Sequence, residues 1–538
     1  MTLLDRQLAL LPPDIAREIL SAPARPDEIF ETSGDQVPVN GILRDGRAFL
    51  FHSRYAAVRE ARRIAGVAAA AGCVVALGVG MGHHLRALAE RAERIVAVEP
   101  DAALLRSALS RVDLTDLLGS RRLTLITDCR EEVLLELIAA RYVPGVHGAL
   151  RMAELPGRVG AEPQRMNEIR DALSRAVQSL SGDLAIQARF GLAWTRNAVF
   201  NLLRARPGPL PDFGGQTVVV AAAGPSLADA VGTLAEARHP IIAVDTALPV
   251  LQSHGVSPHL VVSVDCQLAS YHHYLCAGFP RIPVAADLSV APSVFSRLVQ
   301  TIPVLSDHPL HRLFRHLGLR APHADARGGN VAQAAVDLAV RCGAREVRLV
   351  GADFSYPDGQ TYPRGSYVHH LFAGRCGRLT PAESMHYGFL ARRPGLRPDP
   401  DRPSRLLQPL LCSYARNMER FAGTLPVPVT QEPGRGIRLD LPPPRGSASA
   451  HRSPDELRPT AVSPRDLLGS AEELFSTIAD SASLLRGIDA QAQAVALAAR
   501  ALLPPLTCLR SRDPEADADL LVARASQWTR STIRAALS

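Results

Sequence analysis

The chain has 538 residues and a formal charge of +7, with 60 basic residues, all arginine, against 53 acidic ones. That length is several ordinary domains, and 47% hydrophobic with 21% charged residues excludes a disordered or collagen-like chain. The two signs of charge are interspersed, which argues against a nucleic-acid footprint, and the absence of lysine removes Schiff-base, Walker A and kinase-type lysine chemistry.

Eight cysteines at 73, 129, 266, 276, 342, 376, 412 and 508 form no CxxC pair, a pattern suited to a reducing compartment. The uncharged run Ile64–Gly82 has the length of a membrane span, but five glycines break it into a helix end, a strand and a loop, so no membrane insertion is expected. MTLLDRQLALLPPDI lacks the layout of a signal peptide. These features predict a cytoplasmic protein.

Residues 1–165 read as a first α/β domain. A helical lead to about residue 35 precedes a strand pair around the Asp45-Gly46 turn and a helix from about Ala56 to Ala70. The strand CVVAL is followed by Gly78, Gly80 and Gly82, a helix, and the strand RIVAVEP ending at Glu99. Glycines between strand and helix, with an acid one strand later, suit a ribose-bearing ligand and make these four residues a candidate second nucleotide site. Close helix–strand packing produces the same pattern and remains the alternative. Residues 166–208 have few breakers and predict a helical connector.

Residues 209–440 carry a denser signal. The strand QTVVVAAA runs into Gly224-Pro225-Ser226, then a helix. Glycine permits the bend, proline stiffens it, and serine caps the helix while offering a hydroxyl to a phosphate, so the three are candidate donor-binding residues. The dull reading is an ordinary capped turn. Later strands end at Asp245, Asp265 and Asp353, which share one crevice if the strands are parallel neighbours. One such carboxylate can deprotonate a hydroxyl, and a pair can hold a divalent cation; each can equally cap its own loop.

Gly328, Gly329 and Asn330 open a further helix, as ligand contacts or as a bare cap. Histidines stand at 272, 273, 369, 370 and 386 without a metal-binding spacing, so the structural reading leads. His369 and His370 end a segment that begins at the crevice and are candidate acids or bases beside Asp265 and Asp353. The predicted linker is 441–462. A helical C-terminal domain, 463–538, starts at the Ser463-Pro464-Arg465-Asp466 cap and serves to bind a partner or to cap the central domain.

HSRYAAVREA, LGVGMGHHL with VEPD, AAGPSLAD, IIAVDTALPVL, GVSPHLVVSVD, GGNVAQAAVDLAVRCGA and VGADFSYPDGQTYPRG together resemble the motility-associated factor family of flagellin glycosyltransferases, over about residues 35–370. The central region of that family is a DUF115 or MptE-like domain. The resemblance implies two Rossmann-like doubly wound domains, the central one similar to a bacterial sialyltransferase fold, plus the helical C-terminal region. It implies transfer of a nonulosonic acid from a cytidine monophosphate-activated donor (CMP donor) to serine or threonine of flagellin. Flagellin is then the partner, with a flagellin chaperone or a second copy of the chain as further candidates. Related archaeal domains make a pterin diphosphate with ATP and a divalent ion, so diphosphoryl transfer is the enzymatic rival. A nonenzymatic role in flagellin binding or motility assembly is the other alternative.

Overall fold

A computed structural model of the chain describes residues 2–444 apart from 121, 207 and 237, together with 462–478, 485 and 493–538. The described residues fall into two compact units. The first is Met1–Gly191 with Leu503–Ala525; the second is Leu192–Ala479 with Ala490–Leu502 and Ser526–Ser538.

In the first unit, β1 (Glu28–Thr32), β2 (Pro38–Arg44) and β3 (Arg47–Leu50) form an antiparallel sheet. The β2–β3 hairpin turns at Asp45 and Gly46, both with positive φ, as an Asp-Gly turn requires. The expected helical lead is shorter than predicted, because Glu28–Thr32 is drawn into a strand by pairing with β2.

The same unit holds a parallel sheet of β4 (Cys73–Leu77), β5 (Arg94–Val98), β6 (Leu123–Ile126) and β7 (Leu150–Glu154), in the order β6-β5-β4-β7. β4 and β5 are buried throughout, which explains their unbroken apolar sequences. β7 has no such run and lies at the sheet edge, so its sequence carried no clear strand signal. The long apolar stretch gives β4 and the glycine loop as expected, but the expected helix stops at Ile64 and Ala65–Ala70 is a 3-10 turn. No helix among the described residues is long and apolar enough to cross a membrane.

The second unit is built on seven parallel strands: β8 (Thr217–Ala221), β9 (Ile241–Val244), β10 (Leu260–Ser263), β11 (Val284–Asp287), β12 (Thr301–Val304), β13 (Glu346–Val350) and β14 (Val429–Gln431). Their order is β12-β11-β10-β9-β8-β13-β14. The chain proceeds outward from β8 to β12 and then crosses back to β13 on the other side of β8. This reversal leaves a switch point between β8 and β13, where doubly wound sheets open a crevice at the carboxyl edge. Helices Leu227–Glu236 and Val331–Arg341 pack apolar faces against the sheet, with Val231, Leu234, Ala335 and Leu338 in its core. Val231, Leu234 and Leu338 each contribute about 1.5–3 kcal/mol by leaving water.

The helix Pro163–Leu202 contributes to both units. So do the C-terminal helices. Pro464–Ile478 and Gln493–Ala501 pack on Pro309–His316 within the second unit. Leu503–Arg512 packs on Pro144–His147 within the first, where Leu506 fills the space a Gly145 side chain would need and the Arg510 guanidinium donates to the Gly145 carbonyl at 2.7 Å. Most of the predicted linker, 445–461, lies outside the described residues.

Candidate functional site

Four chemistry-bearing segments reach the carboxyl edge of the seven-stranded sheet: Gly224-Pro225-Ser226 after β8, Asp245 after β9, Asp265 after β10 and Asp353 after β13. The parallel order therefore brings them to one edge, but they separate into two groups.

At the switch point, Ser226 and Asp353 close on each other. The Ser226 amide donates to Asp353 Oδ2 at 2.8 Å and its hydroxyl to Oδ1 at 2.5 Å, and both residues are buried. Phe354, at φ +46°, turns the chain immediately after Asp353. The segment Gly434-Arg435-Gly436 crosses over the pair. Its Arg435 amide donates to the Ser226 hydroxyl at 2.7 Å, and side chains at Gly434 or Gly436 would overlap Ser226 or Asp353. The Arg435 guanidinium donates to the Pro225 carbonyl at 3.2 Å and pairs with Asp229 at 2.9 Å and Asp358 at 3.3 Å. Gly224 has no room for a side chain, since a Cβ would overlap Asp353 and the Gly351 carbonyl. The Ser226 hydroxyl and amide are thus spent on Asp353, not turned to an open phosphate cradle.

The second group surrounds Asp265. Asp245 is 2% exposed and accepts from the Ser263 hydroxyl of the adjacent strand at 2.6 Å and from the Thr246 amide at 2.7 Å. Asp265 is half-buried, and the Gln267 amide donates to its Oδ1 at 2.9 Å. Burial pushes the Asp265 carboxyl above its usual range, the Gln267 bonds oppose this, and the Asp245 charge adds to it. His273, on the helix Ala269–Cys276, lies in the field of both carboxylates. Burial pushes its imidazole down while the two acids pull it up, and its Nδ1 has no hydrogen-bond partner among the described residues.

The segment following Asp353 folds back onto this group. Burial pushes the Tyr362 hydroxyl up, and the charges of Asp245 and Asp265 add to that. Tyr367 stacks on His272 with ring centroids 4.6 Å apart and planes 8° from parallel, and meets His273 edge-on at 5.7 Å.

Residues 194–359 match the family described as 6-hydroxymethylpterin diphosphokinase MptE-like, an interval that includes both groups of strand ends. An uncharacterised protein of Treponema pallidum (strain Nichols) is 31% identical over 176 residues, covering 32% of this chain and 84% of that protein. The chain carries an MptE-like domain. A second uncharacterised Treponema pallidum protein is 31% identical over 157 residues, covering 26% of this chain and 39% of that one. Among solved structures, the MAf glycosyltransferase from Magnetospirillum magneticum AMB-1 superposes with a TM-score of 0.59 over 99% of this chain and 94% of that one, at 16% identity. The two share an architecture.

Other candidates in this MptE-like chain stand apart from Asp265. His369 makes its ring contacts with His370 and His386, at 6.0 and 6.3 Å, and His370 is exposed. Asn330 caps its helix, accepting from the Gln333 amide at 3.0 Å. Gly328 offers its carbonyl to Asn417, and Gly329, at φ +77°, lies where a side chain would strike Tyr414. Among the described residues no group of three or more His, Cys, Asp or Glu side chains is placed to hold a metal ion.

In the first unit, Gly78, Gly80 and Gly82 all take positive φ, and Glu99 follows β5 as the fingerprint requires. Glu99 is nevertheless engaged from within. Arg158 donates to it at 2.9 Å, the Val79 amide donates to it at 3.1 Å, and both side chains of the ion pair are buried. Leu155 and Arg158 occupy the space beside Gly78 and Gly80. A cavity of about 410 Å³ in this unit is lined by Arg25, Arg44, Glu162 and Arg165, among others, and not by Glu99.

In the sequence His273 carried only a structural reading, and Tyr362 and Arg435 carried no assigned role. The only available signals were an acid two residues after Ser263, a tyrosine in the segment behind Asp353, and an arginine between two glycines in PVTQEPGRGIRLD.

Proposed function

We propose that the second unit transfers a sugar from a nucleotide-activated donor to a protein hydroxyl. The specific reaction is transfer of a nonulosonic acid from its cytidine monophosphate conjugate to serine or threonine of flagellin, in the cytoplasm. The observation that carries this reading is Asp265, a half-buried carboxylate at the end of a central parallel strand, with its proton affinity raised by burial and by Asp245. The family match and the shared architecture with a MAf glycosyltransferase support it.

In this scheme the acceptor hydroxyl oxygen attacks the anomeric carbon, the bond from that carbon to the donor phosphate oxygen breaks, and cytidine monophosphate leaves with the electron pair. Asp265 takes the hydroxyl proton. Asp245, fixed by Ser263 and Thr246, adds to the raised proton affinity of Asp265. Tyr362 retains its proton in that field and can donate a hydrogen bond to the departing phosphate. Asp353 is assigned to holding the switch point through Ser226, and Gly224 and Pro225 to shaping it. The Gly328-Gly329-Asn330 turn is assigned a helix-capping role. His369 and His370 are left to the rim. The first-unit fingerprint, Gly78, Gly80, Gly82 and Glu99, is assigned a packing role. A divalent cation, a flagellin chaperone and self-association form no part of the minimal reaction.

The family description also favours a second reading, diphosphoryl transfer to 6-hydroxymethylpterin. The deciding experiment incubates the purified full chain with a CMP-activated nonulosonic acid and unmodified flagellin and measures intact flagellin mass. A gain of one or more sugar masses, abolished by Asp265→Asn, supports transfer. Unchanged flagellin with a folded enzyme that instead converts hydroxymethylpterin in the presence of ATP overturns it, and flagellin capture without either reaction returns the protein to a binding role.

A further inference from the structure

The family match begins at residue 194, inside the last turns of the helix Pro163–Leu202 and well before the first strand of the sheet at Thr217. Two side chains in those turns reach the sheet. Asn197 and Asn201 are one helical turn apart, share a face, and are fully buried. Asn197 Nδ2 donates to the Cys266 carbonyl at 3.1 Å and to the Ser289 carbonyl at 2.9 Å. Asn201 Nδ2 donates to the Leu288 carbonyl at 2.8 Å and to the Val290 carbonyl at 2.7 Å. Both hydrogens of each amide are therefore spent on the loops that follow β10 and β11, which are neighbours in the sheet.

Cys266 is the residue between Asp265 and Gln267. The Gln267 amide closes a turn onto Asp265 Oδ1 at 2.9 Å, and the Cys266 carbonyl within that turn accepts from Asn197. Gripping that carbonyl fixes the turn, and with it the direction and burial of the Asp265 carboxylate. A buried carbonyl needs a donor, and holding two loops at once needs at least two donor hydrogens, so an apolar residue cannot substitute. Ser289 completes the second anchor, since its own amide donates to Asp287 Oδ1 at 2.7 Å.

We propose that Asn197 is a positioning residue for Asp265: it ties the Asp265 turn to the β11 loop and so keeps the carboxylate half-buried at the sheet edge. Asn201 supports the β11 side of the same clamp. The kinetic part of the test rests on the transferase reading; the exchange part does not.

The test compares wild type, Asn197→Ala, Asn197→Ser and Asn201→Ala as full-length proteins. Amide hydrogen exchange by mass spectrometry over residues 264–270 should speed at least about tenfold in both Asn197 variants, with Asn201→Ala affecting mainly 287–291. Sugar transfer should fall at least about tenfold in kcat in the Asn197 variants, with donor KM changed less than about threefold. The acid limb of the kcat–pH profile should move to lower pH as Asp265 gains water, while Asn201→Ala keeps its limb in place. Unchanged exchange across 264–270 in a folded Asn197 variant overturns the proposal, as does an acid limb that stays at the wild-type pH. If wild type transfers no sugar, the exchange result still decides the role of Asn197 while the transferase reading falls on its own.

Discussion

Ser226 donates both its amide and its hydroxyl to the carboxylate of Asp353, at 2.8 and 2.5 Å, across 127 residues of sequence. The strand-to-helix turn after β8 is thereby locked to the turn after β13, at the place where the strand order reverses. A buried carboxylate that loses a donor costs the desolvation of that group, so Ser226→Ala should destabilise the second unit by about 1–3 kcal/mol. Gly224→Val should cost more, because its side chain would meet Asp353 and the Gly351 carbonyl. Denaturant unfolding of both variants checks this; a Ser226→Ala protein as stable as wild type would show that the pair contributes nothing.

Asp265→Asn should leave the fold intact and lower sugar transfer by about 10²–10⁴-fold, the usual contribution of a general base. In wild type, transfer should fall as the pH drops through the raised Asp265 value, because the base is then protonated. A rate–pH profile of wild type and variant is the measurement; equal rates remove Asp265 from the chemistry.

The buried Arg158–Glu99 pair occupies the acid of the first-unit fingerprint. Removing one partner leaves an uncompensated buried charge, so Arg158→Met should destabilise by about 3–5 kcal/mol, while the double change Arg158→Met with Glu99→Gln should recover most of that loss. Nucleotide binding, measured calorimetrically with Asp265→Asn as background, should be unaffected by Glu99→Gln.

Stability should fall on acidification. Burial holds His83 below its usual range and His84 and His308 well below, so each stays neutral in the fold. Below about pH 6.5 the unfolded chain binds protons that the folded chain does not, so this contribution is fully present above that pH and is lost as the pH falls. The slope is at most about 1.4 kcal/mol per pH unit for each histidine. His52 lies 5.4 Å from His84 and 5.1 Å from His83, ring to ring, which sets the three in one cluster. Thermal unfolding between pH 8 and 5.5 should show a falling midpoint, with a shallower dependence in His84→Gln.

CVVAL, TVVVA and IIAV were legible because a strand buried on both faces must be apolar throughout, whereas the short strands β11, β12 and β14 were not legible. β7, an edge strand with no such run, and β1, made by pairing with β2, were not. The C-terminal helix starts near 464 and 514 could be read from their caps, but the helix Leu503–Arg512 was not placed, spacing gives no address, and these helices pack into both units.

Composition and local pattern determined that this chain is an α/β protein without lysine chemistry, and that glycine turns and aspartates stand at its strand ends. Which aspartate is free to act was decided by tertiary structure. Asp353 and Asp265 look alike as acids beyond apolar strands, yet one is closed on Ser226 beneath Arg435, and the other stays half-exposed beside Asp245 and His273. The difference lies in hydrogen-bond partners brought from residues up to 209 positions away, and a local sequence pattern carries no record of where such partners will come from.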